Sequence, residues 1–323
     1  MSASTFRTER AIPGAAGTES ATSTLPGTRS LLVRPLTTPV AKELVERASV
    51  AEVMLTGWEQ VGEHRFTVAA QWPRGHSFFA VGGRYHPLIA AETIRQSAIL
   101  LAHTEYGVPL DRQLLVQGIG VSPRPERFDI GWTPATLELH VRVAADRGHD
   151  GTLTGLRVEV EIRRDAQPAA TGHGTFACAA AAGGQAPGRH PLPRTAPAHP
   201  VPPQAVGRLS PLDVVLSATR REDQWRLHVD TGHPVFFDRR TGHVPDTILL
   251  EAACQATAMT LGRPCVPLDI TTEFDRRAEL GSPCLIEAHR IPGNGADGSE
   301  AVRVTGHHSG RPLFCSTVTA AAG

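Results

Sequence analysis

A chain of 323 residues is long enough for two domains with full hydrophobic cores. Its 32 Lys and Arg residues balance 32 Asp and Glu residues, so its charge gives no case for nucleic acid or an anionic membrane as a bulk partner. The longest apolar runs stay far below the ~18 residues that a membrane span requires.

The five cysteines form no CxxC pair and no other metal-like spacing. An odd number of scattered cysteines is typical of buried, reduced thiols, so we expect a cytoplasmic protein without a disulfide framework or a metal site. Residues 1–30 are rich in Ser, Thr, Gly and Ala and lack an apolar core. They fit neither a signal peptide nor a transit peptide, and we expect a disordered tail.

The first domain is predicted over residues 31–182. Residues 49–55 and 64–70 alternate as strands do, whereas residues 88–102, within the stretch 85–103, are apolar on most sides, which predicts a buried helix. Further strands are predicted at 113–121, 136–144, 155–162 and 172–179. A helix followed by a run of strands is an α+β order and not an alternating βαβ one.

Residues 183–207 are rich in Pro and Gly and are predicted to be an interdomain linker. The second domain, residues 208–323, repeats the plan in shorter form. A strand is predicted at 223–230 and a helix at 245–261, and these are followed by strands at 270–274, 284–290, 301–308 and 313–320.

An internal repeat connects the two domains. The segment AETIRQSA (91–98) returns as LEAACQAT (250–257), so that Glu92 with Gln96 matches Glu251 with Gln255 at one offset. One long helix and an antiparallel meander in each copy predict two tandem hotdog domains, each with a curled sheet around its helix. Such copies can pair within one chain as a pseudo-dimer.

The repeated helix carries groups that suit acid/base chemistry. Glu92 shares a helix stripe with Arg95 and Gln96, because residues three and four apart are neighbours. The carboxylate could act as a general base, helix N–H groups could hold an oxyanion, and Arg95 could pair with a phosphate. A structural ion pair is the alternative, although a charged pair on so apolar a helix needs partners or a cavity.

Two histidines occupy matching positions, since His76 precedes Phe78-Phe79 and His233 precedes Phe236-Phe237. Each could be a second acid/base group or a structural residue of its turn. If the domains pair, His76 could face Glu251 and His233 could face Glu92. Four loop arginines near the helix entrances are candidates for binding a phosphate or a pantetheine arm, with plain solvation as the alternative: Arg74, Arg84, Arg239 and Arg240.

Four stretches resemble the A-factor biosynthesis (AfsA-type) γ-butyrolactone synthases, which are tandem hotdog proteins. They are QWPRGHSFF (71–79), AETIRQSA (91–98), HPVFFD (233–238) and HVP (243–245) with LLEAACQA (249–256). The resemblance spans residues 31–320. It implies transfer of a β-ketoacyl group from an acyl carrier protein to a hydroxyl of dihydroxyacetone phosphate, in the biosynthesis of a γ-butyrolactone-type signalling molecule. It also implies that no metal or redox cofactor takes part, and that the acyl group arrives on the phosphopantetheine arm of the carrier.

This chain departs from the family pattern at one position. The family has an Arg three residues after each Glu; Arg95 fits, but Cys254 stands in the second copy. The two sites are therefore unequal, and we expect the Glu92 and Arg95 site to be the active one. A hotdog dehydratase or thioesterase stays an alternative, since the second motif is also similar to hydroxyacyl-carrier-protein dehydratases. A non-catalytic acyl- or butyrolactone-binding protein, and a monomer or a homodimer, also stay open.

Overall fold

Twelve antiparallel strands form one continuous sheet in the computed structural model, which describes residues 37–179, 199–239, 241–293 and 298–321. These residues belong to one compact unit. The strands and helices, in chain order, are β1 (Leu55–Gly62), β2 (Arg65–Trp72), β3 (Ala80–Val81), β4 (Arg84–Tyr85), α1 (Leu88–Thr104), β5 (Leu114–Pro123), β6 (Ala135–Arg147), β7 (Leu153–Arg164), β8 (Gln167–Cys178), β9 (Leu216–Ala218), β10 (Gln224–Leu227), α2 (Asp246–Leu261), β11 (Pro267–Phe274), β12 (Cys284–Arg290), β13 (Glu300–His308) and β14 (Arg311–Ala320).

The large sheet joins the two halves of the chain. Its strand order is β1-β2-β6-β7-β8-β5-β11-β14-β13-β12-β10-β9, and the short strands β3 and β4 pair separately. The halves meet where β5 lies antiparallel to β11, with Val121 opposite Ile270 and Ile119 opposite Thr272. One helix packs on each half, and α1 contacts α2. The predicted architecture of two hotdog domains paired within one chain is confirmed.

Both helices are buried almost all round, as their sequences predict. Helix α1 follows Pro87, whose fixed φ suits a helix start, and Gly107 with φ 70° lies just beyond its end. Helix α2 ends at Gly262, whose φ of 71° is the left-handed conformation that glycine adopts without strain. Most residues of both helices are buried, so helix packing and not surface propensity holds them in place.

Two strand predictions need correction. Residues 49–55 do not form a strand, because Val50–Glu52 is a short 3-10 helix and β1 begins only at Leu55. The side chain of Ser49 accepts a hydrogen bond from the Ala51 N–H at 3.2 Å, and such a cap turns the backbone away from the extended form. The strand predicted at 223–230 is shorter, since β10 ends at Leu227.

The predicted domain boundaries fall partly on residues that the structure does not describe. The tail at 1–30 and most of the linker at 183–207 lie outside the described residues. At the end of the linker, Pro203–Val206 forms a 3-10 helix and Val206 is buried. In the described part of the chain, no helix is long and apolar enough to cross a membrane.

Candidate active sites between the two domains

The Glu92 site consists of Glu92, Arg47, Arg95 and Gln96. Glu92 is 4% exposed, and its carboxylate accepts hydrogen bonds from Arg47 Nε at 3.0 Å, Arg95 Nε at 3.0 Å and Gln96 Nε2 at 2.6 Å. Burial by itself would raise the pKa of Glu92, but the two arginines outweigh it and lower this pKa to about 2. Glu92 is therefore held as a carboxylate by two guanidinium groups.

The Glu251 site is built on the same plan from Glu251, Arg208 and Gln255. Arg208 binds the carboxylate with two bonds, from Nε to Oε1 at 2.7 Å and from Nη2 to Oε2 at 2.5 Å. It also donates from Nη1 to the Phe78 carbonyl of the first domain at 2.9 Å and lies 4.0 Å above the Phe78 ring. Arg208 and Glu251 are each 1% exposed, and the bond from Arg208 to the Phe78 carbonyl ties the second domain to the first in the interior.

Arg47 and Arg208 were not among the predicted site residues, although a second repeat marks them. Residues 46–55 read ERASVAEVML and residues 207–216 read GRLSPLDVVL, which share Arg, Ser, an acidic residue, Val and Leu at matching positions. In each copy a 3-10 helix ends at a residue with positive φ, Glu46 or Gly207, and the arginine follows directly. The local turn therefore aims the arginine at the glutamate of the helix.

Gln96 and Gln255 hold the same turn in place. Gln96 donates to the Glu52 carbonyl and to Glu92, while its oxygen accepts from the Met54 N–H at 2.9 Å. Gln255 repeats this with the Asp213 carbonyl, Glu251 and the Val215 N–H. Both N–H donors of each amide are thus used within the protein, which is the pattern of a residue that positions the glutamate.

His76 does not pair with Glu251, contrary to expectation. Its Nε2 lies 3.3 Å from Glu52 Oε2, and its Nδ1 accepts the backbone N–H groups of Phe78 and Phe79 at 3.2 and 3.0 Å. Backbone donors two and three residues along the chain therefore fix the ring locally.

His233 likewise does not pair with Glu92. Its Nε2 lies 3.1 Å from Asp213 Oδ1, and its Nδ1 accepts the N–H groups of Val235 and Phe236. The matching positions of the two histidines thus reflect a shared turn in each half.

The residue that reaches Glu251 from the first domain is His86, just before α1. Its Nε2 lies 3.9 Å from Glu251 Oε2, and its Nδ1 accepts the Leu88 N–H at 3.4 Å. Burial, with a smaller contribution from Arg208, lowers the pKa of His86 well below its ordinary value. The imidazole is therefore neutral at physiological pH.

Hydrogen bonds from the second domain hold the loop that carries Arg47 in place. The carboxylate of Asp238 accepts the backbone N–H groups of Ala48 at 2.7 Å and Ser49 at 2.8 Å. Next to it, Arg239 Nη2 donates to Glu46 Oε2 at 2.7 Å. We call these contacts the Asp238 clasp.

Among the residues that the structure describes, the Glu251 site has no counterpart of the Asp238 clasp. The residue five positions after His233 is Asp238, whereas the residue five positions after His76 is Val81; Gly207 likewise stands where the first copy has Glu46. Neither replacement offers a carboxylate. A cavity of about 230 Å³ opens here between the domains, lined by residues of both that include Val81, Arg84, His86, Gly207, Glu251, Cys254 and Cys265.

The predicted arginines have different surroundings. Arg84 lines the cavity, where its Nε lies 2.7 Å from Asp129 Oδ1 and its Nη2 donates to the Pro125 carbonyl. Arg74 donates to the Gly131 carbonyl at 3.0 Å, and Arg239 belongs to the Asp238 clasp. Arg240 lies outside the described residues.

Cys254, which replaces the family arginine, also lines the cavity. Burial raises the pKa of its thiol well above the ordinary value, and the nearby Glu251 adds to this rise. A thiol of this kind is a poor nucleophile at neutral pH. Among the described residues, no group of three His, Cys, Asp or Glu side chains is arranged to hold a metal ion.

Comparison with known proteins gives a consistent picture. The model of the "A-factor biosynthesis hotdog domain" matches twice, at residues 29–180 and 192–322. The 2-oxo-3-(phosphooxy)propyl 3-oxoalkanoate synthase of Streptomyces virginiae is 44% identical over 289 residues, covering 86% of this chain and 96% of that protein. The synthase of the same name from Streptomyces coelicolor is 38% identical over 299 residues, covering 87% of this chain and 91% of that protein.

Among solved structures, an acyl-ACP thioesterase from Bacteroides thetaiotaomicron matches with a TM-score of 0.47 at 10% identity, covering 79% of this chain and 97% of that chain. Family membership rests on the sequence matches, since they span both halves of the chain. The family model matches both domains, and the alignment covers almost the full length of the Streptomyces virginiae synthase. This chain therefore belongs to the A-factor biosynthesis hotdog family.

Proposed function

We propose that this protein is a 2-oxo-3-(phosphooxy)propyl 3-oxoalkanoate synthase, an acyltransferase that joins a β-ketoacyl group to a hydroxyl of dihydroxyacetone phosphate. The supporting observation is the 44% identity over 96% of the Streptomyces virginiae synthase. In the name of that synthase, the 2-oxo-3-(phosphooxy)propyl group is dihydroxyacetone phosphate bound through its free hydroxyl. The ester is the precursor of a γ-butyrolactone-type signalling molecule.

The acyl donor in this proposal is a thioester on the phosphopantetheine arm of an acyl carrier protein. Exchange of sulfur for oxygen at an acyl carbon changes no oxidation state, so the reaction requires no redox cofactor. It does require a proton acceptor for the hydroxyl, a donor for the oxyanion and a cation for the phosphate. We place the reaction in the cytoplasm, where a carrier protein and a phosphorylated three-carbon acceptor are both available.

The Glu251 site is the better place for this chemistry, because the cavity opens there. Glu92 stays a candidate base with Arg95, but its pKa of about 2 makes it a weak proton acceptor at neutral pH. Glu251 is bound by one arginine and faces the cavity between the domains. Arg84, which also lines the cavity, has a side chain that is 43% exposed and is our candidate for the phosphate.

The test supplies the purified protein with a β-ketoacyl thioester and dihydroxyacetone phosphate and measures the ester by mass spectrometry. We expect ester formation that depends on both substrates and is abolished in Glu251→Gln. Turnover that survives Glu251→Gln but not Glu92→Gln would move the base to the first domain. Thioester loss that needs no acceptor would instead indicate a thioesterase, and ligand binding without turnover a binding protein.

A further inference from the structure

We infer that His86 is a second catalytic residue of the Glu251 site, where its Nε2–H donates a hydrogen bond to the thioester carbonyl while Glu251 takes the proton of the attacking hydroxyl. This inference rests on the proposed acyl transfer. His86 comes from the first domain and Glu251 from the second, so one active centre needs both hotdog halves.

The position of the proton on His86 follows from its local contacts. The backbone N–H of Leu88, the first residue of α1, points at Nδ1 at 3.4 Å. A nitrogen that accepts a hydrogen bond carries no proton, and a neutral imidazole then carries its proton on Nε2. Nε2 is the atom nearest Glu251, so the ring offers a donor on the side of the cavity.

The two groups lie side by side and do not satisfy each other. The separation of 3.9 Å between Nε2 and Glu251 Oε2 is too long for a hydrogen bond. Both side chains line the cavity, and that of His86 is 17% exposed. The tetrahedral intermediate of acyl transfer has two neighbouring oxygens on one carbon. An acceptor and a donor placed next to each other suit the attacking oxygen and the former carbonyl oxygen, respectively.

A neutral imidazole suits this task. Burial and Arg208 disfavour the protonated ring, so His86 forms no ion pair with Glu251. A neutral histidine fixed at a helix N-terminus is a known means of polarising a substrate carbonyl. Removing one such oxyanion donor typically lowers kcat by about 10²–10³.

The proposed acyl transfer forms one carbon–oxygen bond and breaks one carbon–sulfur bond. The hydroxyl oxygen of the acceptor forms a bond to the thioester carbon, its proton passes to Glu251, and the carbonyl electron pair moves onto the oxygen that His86 binds. Collapse of the intermediate breaks the carbon–sulfur bond, and the leaving thiolate takes the proton from Glu251. One ester and one free thiol result.

The first site does not contain this arrangement. Tyr85 and Val244 mark matching positions, because each lies seven residues before its helix glutamate. Each also donates its N–H to a carbonyl in the loop after β5 or β11, the first strand that follows its helix. The next residue is His86 in the first domain and Pro245 in the second. Proline has no polar side-chain atom, so the second domain cannot offer the equivalent donor to Glu92.

The experiment compares His86→Ala and His86→Gln with the wild type, using a β-ketoacyl thioester and dihydroxyacetone phosphate. The control is His140→Gln, on an exposed part of β6 away from the cavity. We expect His86→Ala to lose about 10²–10³ in kcat with little change in KM. The amide N–H of His86→Gln should restore part of that loss. Loss below about threefold in His86→Ala, or equal loss in both variants, would overturn the inference.

A second measurement does not depend on turnover. Nitrogen-15 NMR of the wild type should show His86 as the neutral Nε2–H tautomer at about pH 6. This pH lies below the usual histidine pKa of ~6.5, so an ordinary histidine would be mostly protonated there. A neutral Nδ1–H tautomer, or a protonated ring, would overturn the donor role. If the wild type forms no ester while His86 has the Nε2–H tautomer, the proposed acyl transfer, and with it the catalytic role of His86, is refuted. The tautomer inferred from the contacts of His86 is then still confirmed.

Discussion

Replacing Glu92 with Gln tests whether the first site is an ion-pair cluster of the fold. In the folded protein the pKa of Glu92 is lowered from 4.5 to about 2, because Arg47 and Arg95 outweigh the effect of burial. A group with a lowered pKa adds stability above its unfolded pKa and loses it as pH falls through its folded pKa. The shift corresponds to on the order of 3 kcal/mol at neutral pH, and burial keeps solvent from screening it.

The substitution also leaves two buried arginines without their carboxylate, which adds a cost that does not depend on the titration of Glu92. The pH dependence, and not the absolute loss, is therefore the informative quantity. We expect urea unfolding to show a free-energy difference between wild type and Glu92→Gln that shrinks by about 3 kcal/mol as pH falls from about 7 toward 2.

Glu138→Gln is the matched control for this titration. Glu138 is 59% exposed on β6, and in the described part of the chain its carboxylate pairs with a neighbouring exposed histidine, so its replacement should change stability by less than about 0.5 kcal/mol at any pH. A difference between wild type and Glu92→Gln that stays constant across the acid range would refute the reasoning, because Glu92 would then have an ordinary pKa.

Three further changes probe the same interior. Burial raises the pKa of Asp246 to about 6, so the stability of the fold falls as pH rises from about 4 to 6. Asp246→Asn should therefore raise the free energy of unfolding by up to about 2 kcal/mol at about pH 8, but by almost nothing at about pH 3.5, as thermal unfolding can measure. Asp238→Ala should lower the free energy of unfolding by about 1 kcal/mol and speed hydrogen exchange at the Ala48 and Ser49 amides. Unchanged exchange rates at these two amides would contradict this prediction. Cys254 and Cys284, whose pKa values burial raises, should be alkylated much more slowly in the native protein than in urea, as peptide mass spectrometry can show; equal rates would argue against their burial.

The sequence predicts those features that depend on local patterns. The helix around Glu92 is apolar on most sides, and its partner around Glu251 repeats it, so the residue pattern alone predicts two buried helices that each carry a carboxylate. The antiparallel strands after each helix follow from alternation and turns. The pairing of β5 with β11 does not follow from such patterns, because nothing in the sequence of either strand marks its partner.

Contacts over long distances along the chain escaped prediction. Arg47 lies 45 residues from Glu92 in sequence, and Arg208 lies 43 residues from Glu251, so no helix spacing connects them. Only the shared pattern of residues 46–55 and 207–216 could have pointed to both arginines. His86 was missed for another reason, since its role depends on a helix of the opposite domain.

The comparison of the two halves changes which residues carry functional information. Glutamate recurs in both helices, but each recurrence is accounted for by an arginine and a glutamine that hold it within the fold. Repetition alone is therefore no evidence of chemistry. What distinguishes the halves lies at positions that break the repeat: His86 faces Glu251 where the other copy has Pro245, and Val81 lines the cavity where the other copy has Asp238. In the proposed reaction, the pseudo-symmetric scaffold holds two equivalent carboxylates and uses only the one at Glu251.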